Sequence, residues 1–317
     1  MLQPLAYGFR GLAALRRLSF SLGLLSVRTL SVPVIVVGNV TVGGTGKTPL
    51  VIWLVERARS LGYRPGVVLR GYGGQTQGPA AVTAESDPAI VGDEAVLLAQ
   101  RTAAPVMMGR DRPAAGQALL KREEVDLIIS DDGLQHYALG RDAEVVVIDA
   151  ARGLGNGCCL PAGPLREPAT RLNAVDAVIG NGGEVEHGQG WFLLKPLALV
   201  PLRPAPLDMA PPGDGATVHG VAGIGDPARF FLSLKALGYN VERHAFGDHH
   251  RYTASDLAFG DGRAVIMTEK DAVKCRAFAP ANSWYLPVQA VPGTDCVSAL
   301  DRVIGCAAAR HAKQKTS

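Results

Sequence analysis

The sequence predicts an α/β fold in which helices cover both faces of a parallel sheet, joined to a smaller C-terminal α/β domain. Short apolar runs alternate with segments of helical pattern, the first of which covers 47–62. Such runs are typical of parallel strands buried on both faces. The predicted strands of the larger sheet are 32–37, 66–69, 105–108, 125–129, 144–148 and 176–179.

A change of composition predicts the boundary between the two domains. Six prolines fall in 196–212, which predicts a linker. After it the alternation restarts, with predicted strands at 217–221, 241–246 and 264–267 and a predicted helix at 227–237. We therefore divide the chain into an N-terminal helix (1–30), a core (31–205) and a smaller α/β domain (206–317). From about Arg310 the sequence predicts a frayed basic tail.

Composition excludes several classes of protein. The chain has 317 residues, of which 47% are hydrophobic and 19% charged, so it can bury a sizeable core. Its five cysteines are odd in number and form no C-x-x-C pair, which favours a reducing compartment over a disulfide framework or a zinc ribbon. A net charge of +3 does not by itself indicate nucleic-acid binding.

The first thirty residues predict an amphipathic helix. Arg10, Arg17 and Arg28 fall on the side opposite an apolar face. The charge-free run 18–27 is shorter than the roughly 20 residues that span a bilayer, and a cleaved signal is not expected either. The helix therefore either packs on the domain or lies in a membrane interface. The apolar face consists of Leu12, Leu15, Leu18, Leu22 and Leu25.

A glycine-rich loop follows the first predicted strand and leads into a helix that Lys47 and Thr48 open. This order aims backbone N–H groups and a helix N-terminus at phosphates, as in a P-loop. Lys47 would neutralise the β and γ oxygens of a nucleoside triphosphate, and Thr48 would offer its hydroxyl to Mg²⁺. We predict ATP and Mg²⁺ as cofactors. The predicted nucleotide-binding residues are Thr41, Val42, Gly43, Gly44, Thr45, Gly46, Lys47, Thr48 and Arg70.

Two aspartates support the same site. Asp131 and Asp132 follow the apolar run 125–129, and a carboxylate at the end of a buried strand holds Mg²⁺ in P-loop proteins. The loop departs from the strict P-loop pattern, which places a glycine where this chain has Thr41. We predict that Thr48, Asp131 and Asp132 surround the metal.

Candidates for the acceptor side are less specific. Asp93 and Glu94 open a helix, where carboxylates are also ordinary capping residues. Arg70 and Arg112 follow predicted strands, on the edge of the sheet where α/β proteins bind ligands. His249 and His250 are adjacent, and on an extended chain such neighbours point apart.

Several motifs together resemble one family, the tetraacyldisaccharide 4′-kinases. The first is Gly-Asn-Val-Thr-Val-Gly-Gly-Thr-Gly-Lys-Thr-Pro at 38–49, and Thr41 belongs to the family pattern. The others run in order to residue 274, so the resemblance covers most of the chain. They are Leu-Arg-Gly-Tyr-Gly (69–73), Gly-Asp-Glu (92–94), Asp-Asp-Gly-Leu-Gln-His (131–136), Leu-Pro-Ala-Gly-Pro-Leu-Arg-Glu (160–167), Ala-Gly-Ile-Gly (222–225), Asp-His (248–249) and Thr-Glu-Lys-Asp-Ala-Val-Lys (268–274).

The resemblance implies ATP-dependent phosphorylation of the 4′-hydroxyl of a tetraacylated glucosamine disaccharide 1-phosphate, a late step of lipid A synthesis at the cytoplasmic face of the inner membrane. It implies that Asp93 is the base, that His249 pairs with it, and that His250 is a bystander. Lys47, Arg70 and Arg112 would meet the phosphate charge. Pairing Asp93 with His249 would require the domains to close over the substrate. The predicted substrate-binding residues are Tyr72, Glu94, Gln135, His136 and Arg166.

Two other classes of function stay open from the residues alone. The first is a membrane-peripheral nucleotide switch or metal-insertion NTPase, whose members often carry a lysine where this chain has Val42. The second is a nucleotide-binding module without catalysis. The segment 268–274 either contacts the nucleotide or only caps a helix.

Overall fold

The computed structural model describes residues 2–76, 78–203 and 210–316, and it contains two sheets. The larger sheet has nine strands in the order β14-β8-β7-β6-β1-β5-β2-β4-β3. Its strands are β1 (Val34–Gly38), β2 (Pro65–Leu69), β3 (Ala80–Val82), β4 (Val106–Met108), β5 (Leu127–Asp131), β6 (Ala143–Asp149), β7 (Ala177–Asn181), β8 (Gly190–Pro196) and β14 (Val288–Pro292).

The smaller sheet has five strands in the order β11-β10-β12-β13-β9. These are β9 (Val200–Pro201), β10 (Thr217–Ala222), β11 (Asn240–Ala245), β12 (Val265–Thr268) and β13 (Ser283–Leu286). The helices of the chain are α1 (Gln3–Ser21), α2 (Lys47–Ser60), α3 (Pro88–Val91), α4 (Asp93–Thr102), α5 (Arg112–Arg122), α6 (Pro227–Ala236), α7 (Glu269–Cys275) and α8 (Thr294–Thr316). Two short 3₁₀ helices cover Ala169–Ala174 and Ala254–Leu257.

The centre of the large sheet is parallel, as the sequence predicts. β1 lies between β5 and β6 and pairs in parallel with both. Its five residues are buried because helices cover the two faces of the sheet. On one face α2 buries Leu50 and Leu54, and on the other α5 buries Leu119. The predicted fold class is therefore confirmed.

Three of the four edge strands were not predicted from the sequence, whereas the fourth, β11, corresponds to the predicted strand 241–246. β3 and β14 run antiparallel to their neighbours, and β9 pairs antiparallel with β13. These strands are two to five residues long and only partly buried, so they lack the continuous apolar pattern of the central strands.

The division into domains stays a prediction, because the boundary at 205/206 lies outside the described residues. Six of the 17 residues of the predicted linker, 204–209, also lie outside them, and its first part differs from a linker: Pro196 ends β8, and Val200 and Pro201 form β9. After β13 the chain also returns to the large sheet, since β14 pairs with β8 and α8 buries Leu300 and Ile304 in the large-sheet core.

The prediction of a frayed tail from Arg310 is wrong. Helix α8 continues to Thr316, and Arg310 Nη1 donates to Asp142 O at 2.8 Å and Asp176 Oδ1 at 2.6 Å. His311 Nδ1 lies 3.5 Å from Asp142 Oδ2. The basic residues look like a solvated tail in sequence, but the acidic residues that hold them come from distant loops.

Phe192 provides a test of the large-sheet core. Its side chain is fully buried in β8, whereas that of the next residue, Leu193, is 48% exposed. We expect Phe192→Ala to lower the free energy of unfolding by about 3–5 kcal/mol, because it removes buried apolar contacts and leaves a cavity. Leu193→Ala, the control, should cost less than about 1 kcal/mol. Denaturant titration followed by circular dichroism measures both, and equal losses would contradict this packing.

Candidate active site

The glycine-rich loop lies at the carboxyl end of β1, with its backbone fixed by its neighbours. Asn39 Nδ2 donates to Thr41 O at 2.8 Å, and Asn181 Nδ2 donates to Thr45 O at 3.0 Å. Gly46 precedes α2 with φ of 81°, and a Cβ there would lie 2.4 Å from Asn181 Nδ2. Any larger residue at this position would therefore collide and be strained.

Thr41 and Val42 anchor this loop rather than line the cleft above it. Thr41 is buried and forms an isolated β-bridge with Leu165, and Val42 N–H donates to Pro164 O at 2.9 Å. Thr41 therefore lies where the 164–166 segment fixes the backbone of the loop. Their predicted contact with nucleotide stays a prediction.

The paired register of the sheet brings the aspartates to the loop. Val37 pairs with Asp131, so the carboxylates emerge beside the start of α2. Lys47 Nζ lies 3.3 Å from Asp132 Oδ1, and Arg166 Nη1 lies 3.6 Å from Asp132 Oδ2. Burial alone would raise the pKa of Asp132, but Lys47 and Arg166 outweigh it, and the pKa is lowered. Asp132 is therefore an anion at neutral pH.

Asp131 has a different environment. Burial, reinforced by the charge of Glu94, raises the pKa of the Asp131 carboxyl. Its Oδ1 is buried and has no hydrogen-bond partner among the described residues. A divalent cation would supply the missing partner and stabilise the carboxylate, so this residue fits a metal ligand. Thr48, the third predicted metal contact, lines the same cleft.

Arg112 is almost completely buried at the start of α5. Its guanidinium donates to Gly109 O at 3.1 Å and to Asp131 O at 3.3 Å. Burial lowers the pKa of Arg112 to about 10, so the side chain stays charged at neutral pH. It contacts the cleft as well as the backbone, so it both supports the turn after β5 and presents a cation to the site. Arg70, after β2, also lines the cleft.

Asp93 and His249 are in contact, although they are separated by 156 residues. Asp93 begins α4, and His249 lies in the turn that follows β11. His249 Nδ1 lies 3.3 Å from Asp93 Oδ2. The hydrogen bond to Asp93 raises the pKa of His249 above its ordinary 6.5. Burial would raise the pKa of Asp93, but His249 and Lys270 outweigh burial and lower it. Both shifts favour the charged form of each residue, so the contact favours an ion pair.

Lysines of α7 complete this side of the site. Lys270 Nζ lies 3.1 Å from Glu94 Oε1 and 3.4 Å from His249 Nε2. Lys274 Nζ lies 3.8 Å from Asp93 Oδ2. The role of the 268–274 motif could not be predicted, because nothing in the sequence shows that α7 faces α4.

The remaining predicted residues divide between cleft wall and support. The Tyr72 ring packs against His249, with centroids 4.6 Å apart. Gln135 Nε2 donates to Asn39 O at 3.1 Å and to Glu167 Oε1 at 2.9 Å. Burial lowers the pKa of His136 to about 4, so its ring is neutral. His250 Nε2 lies 3.4 Å from Asp256 Oδ2, and its role as a bystander stays a prediction.

These elements enclose one cleft of about 1150 Å³. The glycine-rich loop forms one wall, and Tyr72, Glu94 and His249 form another. Phe9 and Leu12 of α1 also line it, so the apolar N-terminal helix reaches the same cavity. Arg229 of α6 is a cleft residue that the sequence analysis missed; it donates to Asp149 Oδ2 at 3.0 Å. No helix among the described residues is long and apolar enough to cross a membrane.

The fold and the cleft define a P-loop phosphotransferase class, with an anion-binding loop opposite an aspartate–histidine pair. A family profile described as tetraacyldisaccharide-1-P 4′-kinase matches residues 1–305. The chain belongs to this family.

Named relatives and a solved structure agree with this assignment. The tetraacyldisaccharide 4′-kinase of Alkalilimnicola ehrlichii is 57% identical over 295 residues, covering 92% of this chain and 88% of that protein. That of Pseudomonas aeruginosa is 51% identical over 306 residues, covering 95% and 92%. The crystal structure of "apo" form LpxK from Aquifex aeolicus in complex with ATP matches with a TM-score of 0.78 and 27% identity, covering 96% of this chain and 98% of that chain.

The contact between Asp93 and His249 can be tested through the pKa of His249. We expect the pKa of His249 to lie above 6.5 and to fall in Asp93→Asn, because the carboxylate that stabilises the imidazolium is gone. The stability that this contact contributes is complete below the unfolded pKa and is lost as the pH rises through the raised folded pKa. Titration of histidine signals by NMR measures the shift.

The control removes a carboxylate from another histidine. Glu186 lies 3.5 Å from His187 on the exposed surface, so Glu186→Gln should leave the titration of His249 unchanged. A His249 titration that is the same in wild type and Asp93→Asn would contradict the contact.

Proposed function

We propose that this chain transfers the γ-phosphoryl group of ATP to the 4′-hydroxyl of a tetraacylated glucosamine disaccharide 1-phosphate, a late step of lipid A synthesis. The observation that carries the proposal is the Asp93–His249 contact, at 3.3 Å, in the cleft that the glycine-rich loop also lines. A module that only bound nucleotide would have no need of this pair. Family membership supports the choice of acceptor.

The nucleotide end of the cleft is built for charge neutralisation. The loop 43–46 presents N–H groups to the phosphates, and Lys47 lies at the start of α2 to meet the β and γ oxygens. Arg112 and Arg70 add positive charge as the γ-phosphoryl group moves. Thr48, Asp131 and Asp132 would hold Mg²⁺, which would neutralise phosphate charge when bound.

The acceptor end positions a hydroxyl group. The hydroxyl oxygen of the acceptor forms a bond to the γ-phosphorus, the bond from that phosphorus to the bridging oxygen breaks, and ADP leaves. Asp93 accepts the hydroxyl proton, and His249 holds its carboxylate in place. The lowered pKa makes Asp93 a weak base. A weak base suffices because the transition state of phosphoryl transfer is loose, so orientation matters more than basicity. Tyr72, Glu94, Gln135, His136 and Arg166 are proposed to surround the sugar and its phosphate.

Replacing Asp93 tests the reaction. We expect Asp93→Asn to lower kcat at least about 100-fold, because proton acceptance and orientation are both lost, while nucleotide binding is retained. The assay follows transfer of labelled phosphate from ATP to the acylated disaccharide in detergent micelles with Mg²⁺. Asp295→Asn is the control, since Asp295 is also an aspartate in the first turn of a helix but lies far along the chain in α8.

Each alternative function predicts a different result in this assay. Hydrolysis of ATP to water without transfer to lipid would indicate a nucleotide switch. Nucleotide binding without turnover in the wild-type chain would indicate a non-catalytic module. An Asp93→Asn enzyme with full transfer would contradict the proposed base.

The N-terminal helix supports a peripheral location at the cytoplasmic face of the inner membrane. Leu15, Leu18 and Leu22 are 60%, 51% and 65% exposed, and among the described residues of α1 the one that is buried is Ala6. The alternative of a helix packed on the domain by its leucines is therefore disfavoured. Arg10 and Arg17 suit anionic headgroups, and Leu12 reaches the cleft, so an acyl chain could pass from bilayer to site along α1.

Replacing exposed leucines of this N-terminal segment with glutamate tests the proposed location. We expect Leu15→Glu with Leu22→Glu to weaken binding to vesicles of phosphatidylethanolamine and phosphatidylglycerol at least about tenfold, because apolar insertion is replaced by repulsion. Leu61→Glu with Leu232→Glu is the control, since these leucines are 43% and 61% exposed elsewhere. Sedimentation with vesicles measures binding, and equal binding by both double variants would contradict the location.

A further inference from the structure

The five-stranded sheet carries a cluster of two histidines and a glutamate away from the candidate active site. His219 lies on β10, and Glu242 and His244 lie on the neighbouring edge strand β11. The register pairs His219 with Glu242 and Val221 with His244. Since Glu242 and His244 are two residues apart, both side chains share the face of His219.

The ligand-type atoms of these three residues converge. His219 Nδ1 and His244 Nε2 are 3.0 Å apart. Glu242 Oε2 lies 3.9 Å from His219 Nδ1, and Glu242 Oε1 lies 3.9 Å from His244 Nε2. Two nitrogens bound to one zinc ion at their usual bond lengths are about 3.3 Å apart, so small side-chain rotations would bring all three atoms to one cation.

The neighbours of His219 determine which of its ring nitrogens carries the proton. His219 Nε2 lies 3.1 Å from both oxygens of Asp261, which only accept hydrogen bonds. The proton of a neutral His219 ring is therefore on Nε2, and Nδ1 offers a lone pair toward His244. Neutral imidazoles are the form that binds metals.

The surroundings resemble the supporting shell of a metal site. A carboxylate that accepts the second N–H of a metal-bound histidine is the commonest such support, and Asp261 has this relation to His219. Arg263 donates to Glu242 Oε2 at 2.7 Å and leaves Oε1 as the oxygen that faces His244. The Phe259 ring lies 4.0 Å from the His219 ring and 4.2 Å from the His244 ring, centroid to centroid, which restricts both rings.

We propose that His219, Glu242 and His244 bind one divalent transition-metal cation of the zinc class. Two imidazoles and one carboxylate suit Zn²⁺, Ni²⁺ or Cu²⁺ and not Mg²⁺, which takes oxygen ligands. The half-exposed Glu242 leaves room for water as a fourth ligand. The cation joins β10 to the edge strand β11, and β11 ends just before the turn that carries His249, so its expected effect is to stabilise that part of the sheet.

The experiment is a calorimetric titration of the metal-free full chain with Zn²⁺, with millimolar Mg²⁺ present to occupy oxygen-ligand sites. We expect one Zn²⁺ per chain and a melting temperature that rises on binding. His244→Ala and Glu242→Gln should each weaken binding at least tenfold. Asp261→Asn should weaken it about tenfold to a hundredfold, because it removes the support of His219. His187→Ala, an exposed histidine beside Glu186, is the control and should bind as wild type.

Cobalt substitution identifies the ligand atoms. A Co²⁺ complex with nitrogen and oxygen ligands shows weak visible bands without the strong thiolate absorption that Cys158 or Cys159 would give. Thiolate absorption, no Zn²⁺ binding, or equal affinity in wild type and Glu242→Gln would overturn the proposal. Glu242 and Asp261 lie at the exposed edge, so their variants decide the matter even where His244→Ala fails to fold.

Discussion

The site depends on a charge arrangement between α4 and α7. Asp93 and Glu94 begin α4, and Lys270 and Lys274 of α7 face them across the boundary of the two sheets. Because Asp93 and Lys270 are largely buried, removing one partner would leave an uncompensated charge, which costs several kcal/mol. His249 contacts both sides of this arrangement, with Nδ1 3.3 Å from Asp93 Oδ2 and Nε2 3.4 Å from Lys270 Nζ. The acceptor side of the cleft therefore exists only where the smaller sheet is docked on the larger one.

The parts of this molecule that could be predicted are those in which local sequence determines position. The glycine-rich loop, Lys47 and the start of α2 are contiguous, and a strand followed by such a loop has one geometry. Asp131 could also be placed, because the carboxyl ends of parallel strands meet at one edge of the sheet. The buried central strands of the fold carry an equally local signal in their continuous apolar runs.

What could not be predicted depends on contacts between distant segments. Nothing in the sequence shows that Lys270 meets Glu94, 176 residues away, or that Arg310 meets Asp176. Thr41 illustrates the same limit. The motif predicts that it lies beside phosphate, but its β-bridge with Leu165 comes from a distant segment, and its side chain is buried. The His219 cluster combines two strands through their register, which no single stretch of sequence contains.

The geometry also changes the expected role of domain closure. From the sequence, closure over the substrate was predicted to bring His249 to Asp93, yet the two side chains are already 3.3 Å apart beside a cleft of about 1150 Å³. Pairing and a large open cavity therefore coexist. Substrate binding therefore does not have to supply the free energy for assembling the pair. Because the pair is pre-organised, the binding energy of the lipid remains available for placing its hydroxyl against the γ-phosphate.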